Sequence, residues 1–242
     1  MGEFVLGIDY GSTMIKAGVF DMNGSEKGVC SVKVNNFSPR TGWYERDLDG
    51  VWETSKAAIS GALKAAKDGG KALSGGDIAA VSLTGHGNGV HLAGADGRAS
   101  RAAIEGTDNR AAAYVEQWRA DGTFRRIHPM NMQALFPAHT LCVMAWLRDH
   151  ERAALDKAKW SLMPKDYVRL RLTGEAFLEY SDSSGSGLIN TRDRRIDADM
   201  LDVAGLGFLA EKLPPLRYAA DLCGEVTRAA AGETGLKAGT PV

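Results

Sequence analysis

An acidic residue followed by small and hydroxylated residues is the first feature of the chain that could do chemistry. Asp9 ends an apolar run, and Gly11, Ser12 and Thr13 follow it in the segment GIDYGST. An acid at the end of a buried strand can coordinate Mg²⁺ directly or through water. The amides and hydroxyls of the next turn can face a phosphate, and Lys16 would add a positive charge there. On this motif alone, a solvated turn is an equally good interpretation, because Asp, Gly and Ser are common in turns.

A second polar segment, TGHGNGVHL, alternates glycines with residues that can bind hydroxyl groups. Gly85, Gly87 and Gly89 would let the backbone approach a ligand closely. His86 and Asn88 between them offer donors and acceptors, as a polyhydroxy substrate requires. The alternative is a glycine-rich loop with solvated polar tips. The segment taken alone leaves both interpretations open.

The remaining polar motifs have strong structural explanations. GTDNRAA places Asp108 and Arg110 at the start of a helix, where Asp108 could simply cap the helix. His91 follows the glycine-rich segment on a strand, and we expect it to be structural. His139 and Cys142 have the spacing of metal ligands but lack a second pair, so no zinc site is expected.

Hydrophobic patterns indicate the elements that must position these residues. Three antiparallel strands open the chain, with a turn at Asn-Gly, and a fourth apolar strand comes later: Phe4–Asp9, Ile15–Phe20, Gly28–Val34 and Ile78–Thr84. Helices are predicted from an N-cap at Asp49 to about Lys67, and then over Arg110–Arg119, Thr140–Arg148 and Pro164–Leu172. The polar tract Ser181–Gly187 has the composition of a short linker. Strands followed by helices alternating with strands predict an α/β fold with a mixed sheet flanked by helices.

Composition excludes several classes of protein. The chain has 242 residues, with 29 Lys and Arg against 30 Asp and Glu, so no basic field attracts nucleic acid or an anionic membrane. No apolar run has the length of a membrane span, and the start of the chain shows no secretion signal. Three scattered cysteines fit free thiols, and we expect a cytoplasmic protein. The chain has no GxxxxGK[ST] loop of the P-loop type.

The motifs taken together resemble one family. GIDYGSTMIKAGVFD, GWYERD, TGHGNG, TDNRA, MPKDYVRLRLTGE, DSSGSG and ETGLKAGTPV follow the order seen in the FGGY carbohydrate kinases. The combination GHGNG and TDNRA resembles the L-xylulose (3-keto-L-gulonate) kinase-like and erythritol kinase-like branches, near the xylulokinases. The resemblance implies a ribonuclease H-like fold of the actin and hexokinase superfamily. It also implies ATP-dependent phosphorylation of a ketose or polyol.

The resemblance also assigns roles to residues. Asp9 would organise Mg²⁺ and the phosphates of ATP. A group of residues would surround the transferring phosphoryl group: Gly11, Ser12, Thr13 and Lys16. Another group would meet the sugar or polyol, with Gly87 and Asn88 at the best-known contact positions: His86, Gly87, Asn88 and Asp108. Phe136 would form a pocket wall.

The resemblance covers only the first of two domains. Residues 1–242 match the N-terminal, sugar-binding domain, whereas the C-terminal ATP-binding domain is missing. The family's catalytic base is an Asp expected just after Val242, so this chain contains no catalytic residue. We therefore expect the isolated chain to be inactive and to expose an apolar surface that could support a homodimer. A non-catalytic sugar-binding or regulatory protein on the same fold is the alternative function.

Overall fold

The architecture was determined from a computed structural model that describes residues 3–242. The strands are β1 Phe4–Tyr10, β2 Met14–Asp21, β3 Glu26–Lys33, β4 Asn36–Phe37, β5 Glu45–Arg46, β6 Lys67–Asp68, β7 Lys71–Ala72, β8 Ile78–Gly85, β9 His91–Ala93, β10 Ala103–Ile104, β11 Trp160–Leu162, β12 Leu178–Glu179 and β13 Leu216–Arg217. The helices are α1 Leu48–Ala65, α2 Ala112–Ala120, α3 Thr123–Asn131, α4 Thr140–His150, α5 Arg152–Lys157, α6 Pro164–Thr173, α7 Tyr180–Ser186, α8 Ala198–Asp202 and α9 Arg228–Thr234. A 3₁₀-helix spans Gly207–Lys212.

A four-stranded mixed sheet in the order β3-β2-β1-β8 forms the centre of the first part of the molecule. The predicted antiparallel opening of three strands is confirmed, and β8 adds to β1 in parallel. Asp9 pairs with Lys16 on one side and with Thr84 on the other. Parallel strands end at the same edge of a sheet, so the segments after Asp9 and after Gly85 leave that edge side by side.

One face of this sheet is buried by α1. Alternate residues of β1 are buried, because successive side chains of a strand point to opposite faces and one face of this sheet is covered. Helix α1 begins after Asp47, whose carboxylate accepts hydrogen bonds from the amides of Asp49 and Gly50. The predicted N-cap at Asp49 was therefore two residues late, because either aspartate fits the cap pattern and only the backbone geometry distinguishes them.

A second hydrophobic core lies among the helices of the middle of the chain. Helix α4 has eight buried residues in succession, Thr140–Leu147, and the cluster also includes residues of α2 and α3. The predicted helices at α2, α4 and α6 are confirmed, and α6 ends at Gly174, whose backbone is left-handed with φ 77°. Helix α3 was not predicted, and its short sequence contains Pro129.

The tract Ser181–Gly187 is not a linker, contrary to its composition. Residues Tyr180–Ser186 form α7, and the Glu179 carboxylate caps it by accepting from the amides of Ser181 and Asp182. Ser183 and Ser186 are buried. Small polar residues weaken a helix in isolation, so the cap and the tertiary packing decide the conformation here.

Among residues 3–242, no helix is both long enough and apolar enough to cross a membrane.

Candidate functional site

The phosphate loop, named for the role predicted from the sequence, comprises Gly11–Thr13 and connects β1 to β2 directly beside Asp9. The Asp9 and Lys16 side chains are 43% and 54% exposed, with Lys16 Nζ 3.9 Å from Asp9 Oδ2. The Gly11 amide donates to the Met14 carbonyl at 3.0 Å, which closes the turn tightly. A Cβ at Gly11 would lie 2.6 Å from that carbonyl oxygen, so only glycine fits without a shift.

The backbone amides and the backbone carbonyls of this loop differ in their hydrogen bonds. Within the described part of the chain, the amides of Ser12 and Thr13 donate to no acceptor. By contrast, the carbonyls of Gly11 and Ser12 accept from the buried Arg46 guanidinium at 3.3 and 2.6 Å. The loop therefore has its acceptors occupied and its donors available, which suits an anion.

The sugar loop, named for the role predicted from the sequence, comprises His86–Gly89 and follows β8 at the same end of the sheet. Asn88 has a left-handed backbone with φ 63°. Its side-chain oxygen accepts from the amide and hydroxyl of Thr140, at 3.4 and 3.3 Å, at the start of α4. The Thr140 hydroxyl also lies 3.1 Å from the Gly89 carbonyl oxygen. Helix α4 thus holds Asn88 in place and leaves its side-chain nitrogen as the group that can donate to a ligand.

His86, the first residue of the sugar loop, has a buried carboxylate as its neighbour. Its Nδ1 is 3.3 Å from the Gly87 carbonyl oxygen, and its Nε2 is 3.5 Å from Glu105 Oε2. Its ring centroid lies 5.4 Å from that of Tyr10. Burial lowers the pKa of His86, so a neutral ring is favoured. Burial also raises the pKa of Glu105 to about 7, and the Arg46 guanidinium opposes that rise.

Asp108 has a fully buried side chain with structural partners. Its carboxylate accepts from the Tyr44 amide at 2.7 Å and from the Arg110 amide and guanidinium. The Arg110 side chain is also fully buried and lies over the Trp43 ring at 4.2 Å. This arrangement favours the structural alternative for Asp108 over direct substrate contact, and substrate contact stays a prediction.

The sequence also made predictions for Phe136 as a pocket wall and for His91 as a structural residue. The Phe136 ring is 38% exposed and lies 5.2 Å from the His139 ring, so its role as a pocket wall stays a prediction. His91 is fully buried and shares a 3.0 Å hydrogen bond with the Tyr10 hydroxyl, which is a structural role.

Several charged residues near the loops were not among the sequence candidates. Lys165 Nζ lies 2.6 Å from Asp182 Oδ2, and a Cβ at Gly87 would lie 3.5 Å from Asp182 Oδ1. Lys165 and Asp182 line a groove of about 630 Å³ beside β8. The other missed residues are Arg46 and Glu105. The only sequence signal was their position in charged motifs, and that signal does not indicate which site they join.

Asp9 is the residue that the sequence predicts to hold a metal ion. Within residues 3–242, no group of three His, Cys, Asp or Glu side chains could hold a metal ion. A magnesium ion at Asp9 would therefore keep several waters and take its other ligands from phosphate oxygens, as Mg²⁺ commonly does. The exposed Asp9 carboxylate beside the free amides of Ser12 and Thr13 fits a hydrated Mg²⁺–phosphate group.

Comparison with known proteins identifies the family. The FGGY family of carbohydrate kinases, N-terminal domain, matches residues 4–242. The chain belongs to this family. It is 34% identical over 242 residues to the L-xylulose/3-keto-L-gulonate kinase of Escherichia coli (strain K12). This alignment covers 100% of this chain and 48% of that protein. It is 31% identical to a probable L-xylulose kinase of Pasteurella multocida (strain Pm70), over 99% of this chain and 49% of that protein.

Solved structures show the same fold. The xylulose kinase from Rhodospirillum rubrum superposes with a TM-score of 0.88 at 24% identity, over 99% of this chain and 48% of that structure. The predicted actin and hexokinase-like α/β fold is thereby confirmed. The FGGY chain described here spans about half the length of the curated relatives that it matches.

Proposed function

We propose that this FGGY domain is the N-terminal half of an ATP-dependent kinase that phosphorylates a hydroxyl of a ketose or polyol. The observation that carries the proposal is the parallel pairing of β1 and β8, which ends at Tyr10 and Gly85. This pairing places the phosphate loop and the sugar loop at one sheet edge. A phosphate donor and a hydroxyl acceptor bound at these loops would be neighbours, as phosphoryl transfer requires.

On the phosphate side, each group has a separate task. Asp9 would hold Mg²⁺, and the amides of Ser12 and Thr13 would face phosphate oxygens, with Gly11 allowing the tight turn. Lys16 would add positive charge beside the transferring group. ATP supplies the phosphoryl group, and catalysis consists mainly of positioning it and stabilising its charge.

On the acceptor side, Asn88 is the best-placed group for a substrate hydroxyl. Its oxygen is held by Thr140, so its nitrogen is oriented to donate. Gly87 leaves space beside Asn88, and His86 completes the loop. The relatives named L-xylulose kinase support a ketose of the L-xylulose class as the substrate.

The second domain and the catalytic base belong to the same proposal. The Val81 amide donates to the Pro241 carbonyl at 2.9 Å, so residues following Val242 would continue along β8 into the groove. That path would bring the expected Asp close to the sugar loop. A mostly apolar hollow of about 320 Å³ beside Asp9, which includes Phe20, Val29 and Leu83, supports contact with a second domain or with a second copy of the chain. A cytoplasmic location is also part of the proposal.

The non-catalytic alternative has no specific observation in its favour. The experiment that separates the two functions is an ADP-release assay of this domain joined to its second domain. The assay uses MgATP and a panel of ketoses and polyols that includes L-xylulose. ADP release that depends on one sugar supports the kinase, whereas sugar binding without ADP release supports the alternative.

The isolated chain and one variant complete the test. Loss of a general base typically costs about 10²–10⁴-fold in rate, so residues 1–242 alone should release no ADP above background. In the two-domain protein, Asp9→Ala should weaken the use of MgATP without changing the preferred sugar. A changed sugar preference with unchanged MgATP dependence would contradict the role given to Asp9.

A further inference from the structure

A buried ion pair lies beneath both loops. The Arg46 and Glu105 side chains are 1% and 4% exposed, and Arg46 Nη2 lies 3.0 Å from Glu105 Oε2. Removing two charges from water is costly, and hydrophobic residues of the same volume often stabilise a fold as well or better. Stability is therefore a weak explanation for an ion pair at this position.

Arg46 connects the pair to the phosphate loop. Its Nη1 and Nη2 donate to the carbonyls of Gly11 and Ser12, and its Nε donates to Asn36 Oδ1 at 2.7 Å. The guanidinium also lies over the Tyr10 ring at 5.0 Å. These contacts hold the guanidinium plane in one orientation, and a displacement of Arg46 would move the loop carbonyls with it.

Glu105 connects the pair to the sugar loop through His86. The Gly87 carbonyl beside His86 Nδ1 can only accept a hydrogen bond, so Nδ1 carries the hydrogen. In the neutral ring, Nε2 then presents a lone pair toward Glu105 Oε2. Two acceptors do not attract each other, and among the described residues neither His86 Nε2 nor Glu105 Oε1 has a hydrogen-bond partner, so a proton on Glu105 would satisfy His86 Nε2. Burial, which raises the pKa of Glu105, is consistent with that proton.

We propose that Arg46 and Glu105 are positioning residues that couple the two loops, Arg46 by fixing the Gly11–Ser12 backbone and Glu105 by sharing a proton with His86. Occupation of the sugar loop would then change the affinity of the phosphate loop for a nucleotide. This inference rests on the proposed function, because it assigns the two ligands to the two loops.

The test is a binding linkage in the two-domain protein, measured by calorimetry. The Kd of a non-hydrolysable ATP analogue with MgCl₂ is determined with and without saturating L-xylulose. We expect the sugar to change this Kd by about 5–150-fold, the usual range of coupling between sites. No change in the wild-type protein would overturn the inference.

Two substitutions of Glu105 separate hydrogen bonding from packing. Glu105→Gln can still place an oxygen beside Arg46 and donate to His86, so it should keep the sugar-dependent change in Kd. Glu105→Met fills the space without hydrogen bonds and should bring the change to within about twofold of none. A coupling that survives in Glu105→Met, or that disappears in Glu105→Gln, would contradict the proposal.

A third substitution tests the phosphate side. Arg46→Lys keeps the charge beside Glu105 but lacks the planar set of donors that reaches both loop carbonyls, so it should weaken analogue binding at least about tenfold while leaving L-xylulose binding within about twofold. Asp197→Asn is the control, because it alters a buried carboxylate whose partners are Asn190, Arg195 and Met200. Equal effects of Arg46→Lys and Asp197→Asn on analogue binding would overturn the inference.

A spectroscopic measurement needs no nucleotide. In ¹⁵N spectra of the imidazoles, the two nitrogens of His86 should show the Nδ1–H form in the wild type and in Glu105→Gln. Glu105→Met should shift the Nε2 signal, because Nε2 loses its proton-bearing neighbour. An unshifted Nε2 signal would contradict the shared proton. An inactive wild type with the expected spectra would refute the proposed function alone.

Discussion

Two ion pairs flank the phosphate loop and differ in almost every physical respect. Asp9 and Lys16 are about half exposed, and their charged atoms are 3.9 Å apart. Arg46 and Glu105 are almost completely buried, and their charged atoms are 3.0 Å apart. Water and salt screen the first pair, whereas the second lies where charges interact strongly and desolvation is costly.

This difference explains how the phosphate loop can have a fixed backbone and still leave exposed side chains beside it for a ligand. Separating the charges of the exposed pair costs little free energy, which is compatible with the roles proposed for Asp9 at a metal ion and for Lys16 at a phosphate. The buried pair holds the backbone from below through the carbonyls of Gly11 and Ser12. The residues proposed to bind ligands and the residues that support the loop backbone are therefore different.

The largest expected effect is on the buried side of this comparison. Arg46→Met leaves Glu105 buried without its cation, and the free energy of unfolding should fall by about 3–5 kcal/mol. Urea denaturation at pH 8 measures the change. The matched exposed variant is Lys16→Met, which should change the same free energy by less than about 1 kcal/mol. Similar losses in both variants would remove the distinction between the two pairs.

The second effect is a pH dependence that Glu105 introduces. Because the pKa of Glu105 in the folded protein is raised to about 7, the folded state keeps a proton that the unfolded state loses above about pH 4.5. The free energy of unfolding of the wild type, minus that of Glu105→Gln, should therefore fall between about pH 4.5 and 7, by up to about 3 kcal/mol. This difference in the free energy of unfolding should stay constant above about pH 7.

Urea denaturation of both proteins at several pH values between 5 and 8 provides the measurement. Buried histidines with lowered pKa values, such as His86 and His139, change stability in the opposite direction. The difference between the two proteins largely cancels the contribution of His139. A difference that rises with pH would mean that Glu105 is stabilised as a carboxylate.

The third effect is smaller and concerns the support of Arg46. Asn36→Ala removes the acceptor for Arg46 Nε and the donor to the Ser12 carbonyl. Water can reach Asn36, so the loss should be about 0.5–1.5 kcal/mol in thermal or urea unfolding. Asn23→Ala, in the exposed turn between β2 and β3, is a control that touches neither ion pair. A loss as large as that of Arg46→Met would place Asn36 among the main supports.

The smallest effect is the energetic coupling of Asp9 with Lys16. A double-mutant cycle with Asp9→Asn and Lys16→Met should give a coupling below about 1 kcal/mol that shrinks further in 1 M NaCl. A salt-independent coupling of several kcal/mol would show that this pair is a structural support as well.

The sequence predicted an element best where the residues within that element form a pattern typical of a strand or a helix. An apolar run predicted the strand that ends near Asp9, and Pro164 with Gly174 predicted both ends of α6. The tract Ser181–Gly187 gave a wrong prediction, because its composition does not reveal the cap that Glu179 supplies. Local patterns cannot report interactions whose partners lie elsewhere in the chain.

By itself, the sequence determined the family, the three-stranded opening and the position of Asp9 and Asn88 at strand ends. Those features depend on short-range patterns of hydrophobicity and on turn residues. Only the tertiary structure decided that Asp108 is buried against Arg110, and that Arg46 meets Glu105 beneath the phosphate loop. The environment of a charge, whether water or protein interior, depends on which distant segments pack around it, and this environment decides whether the charge binds a ligand or supports the backbone.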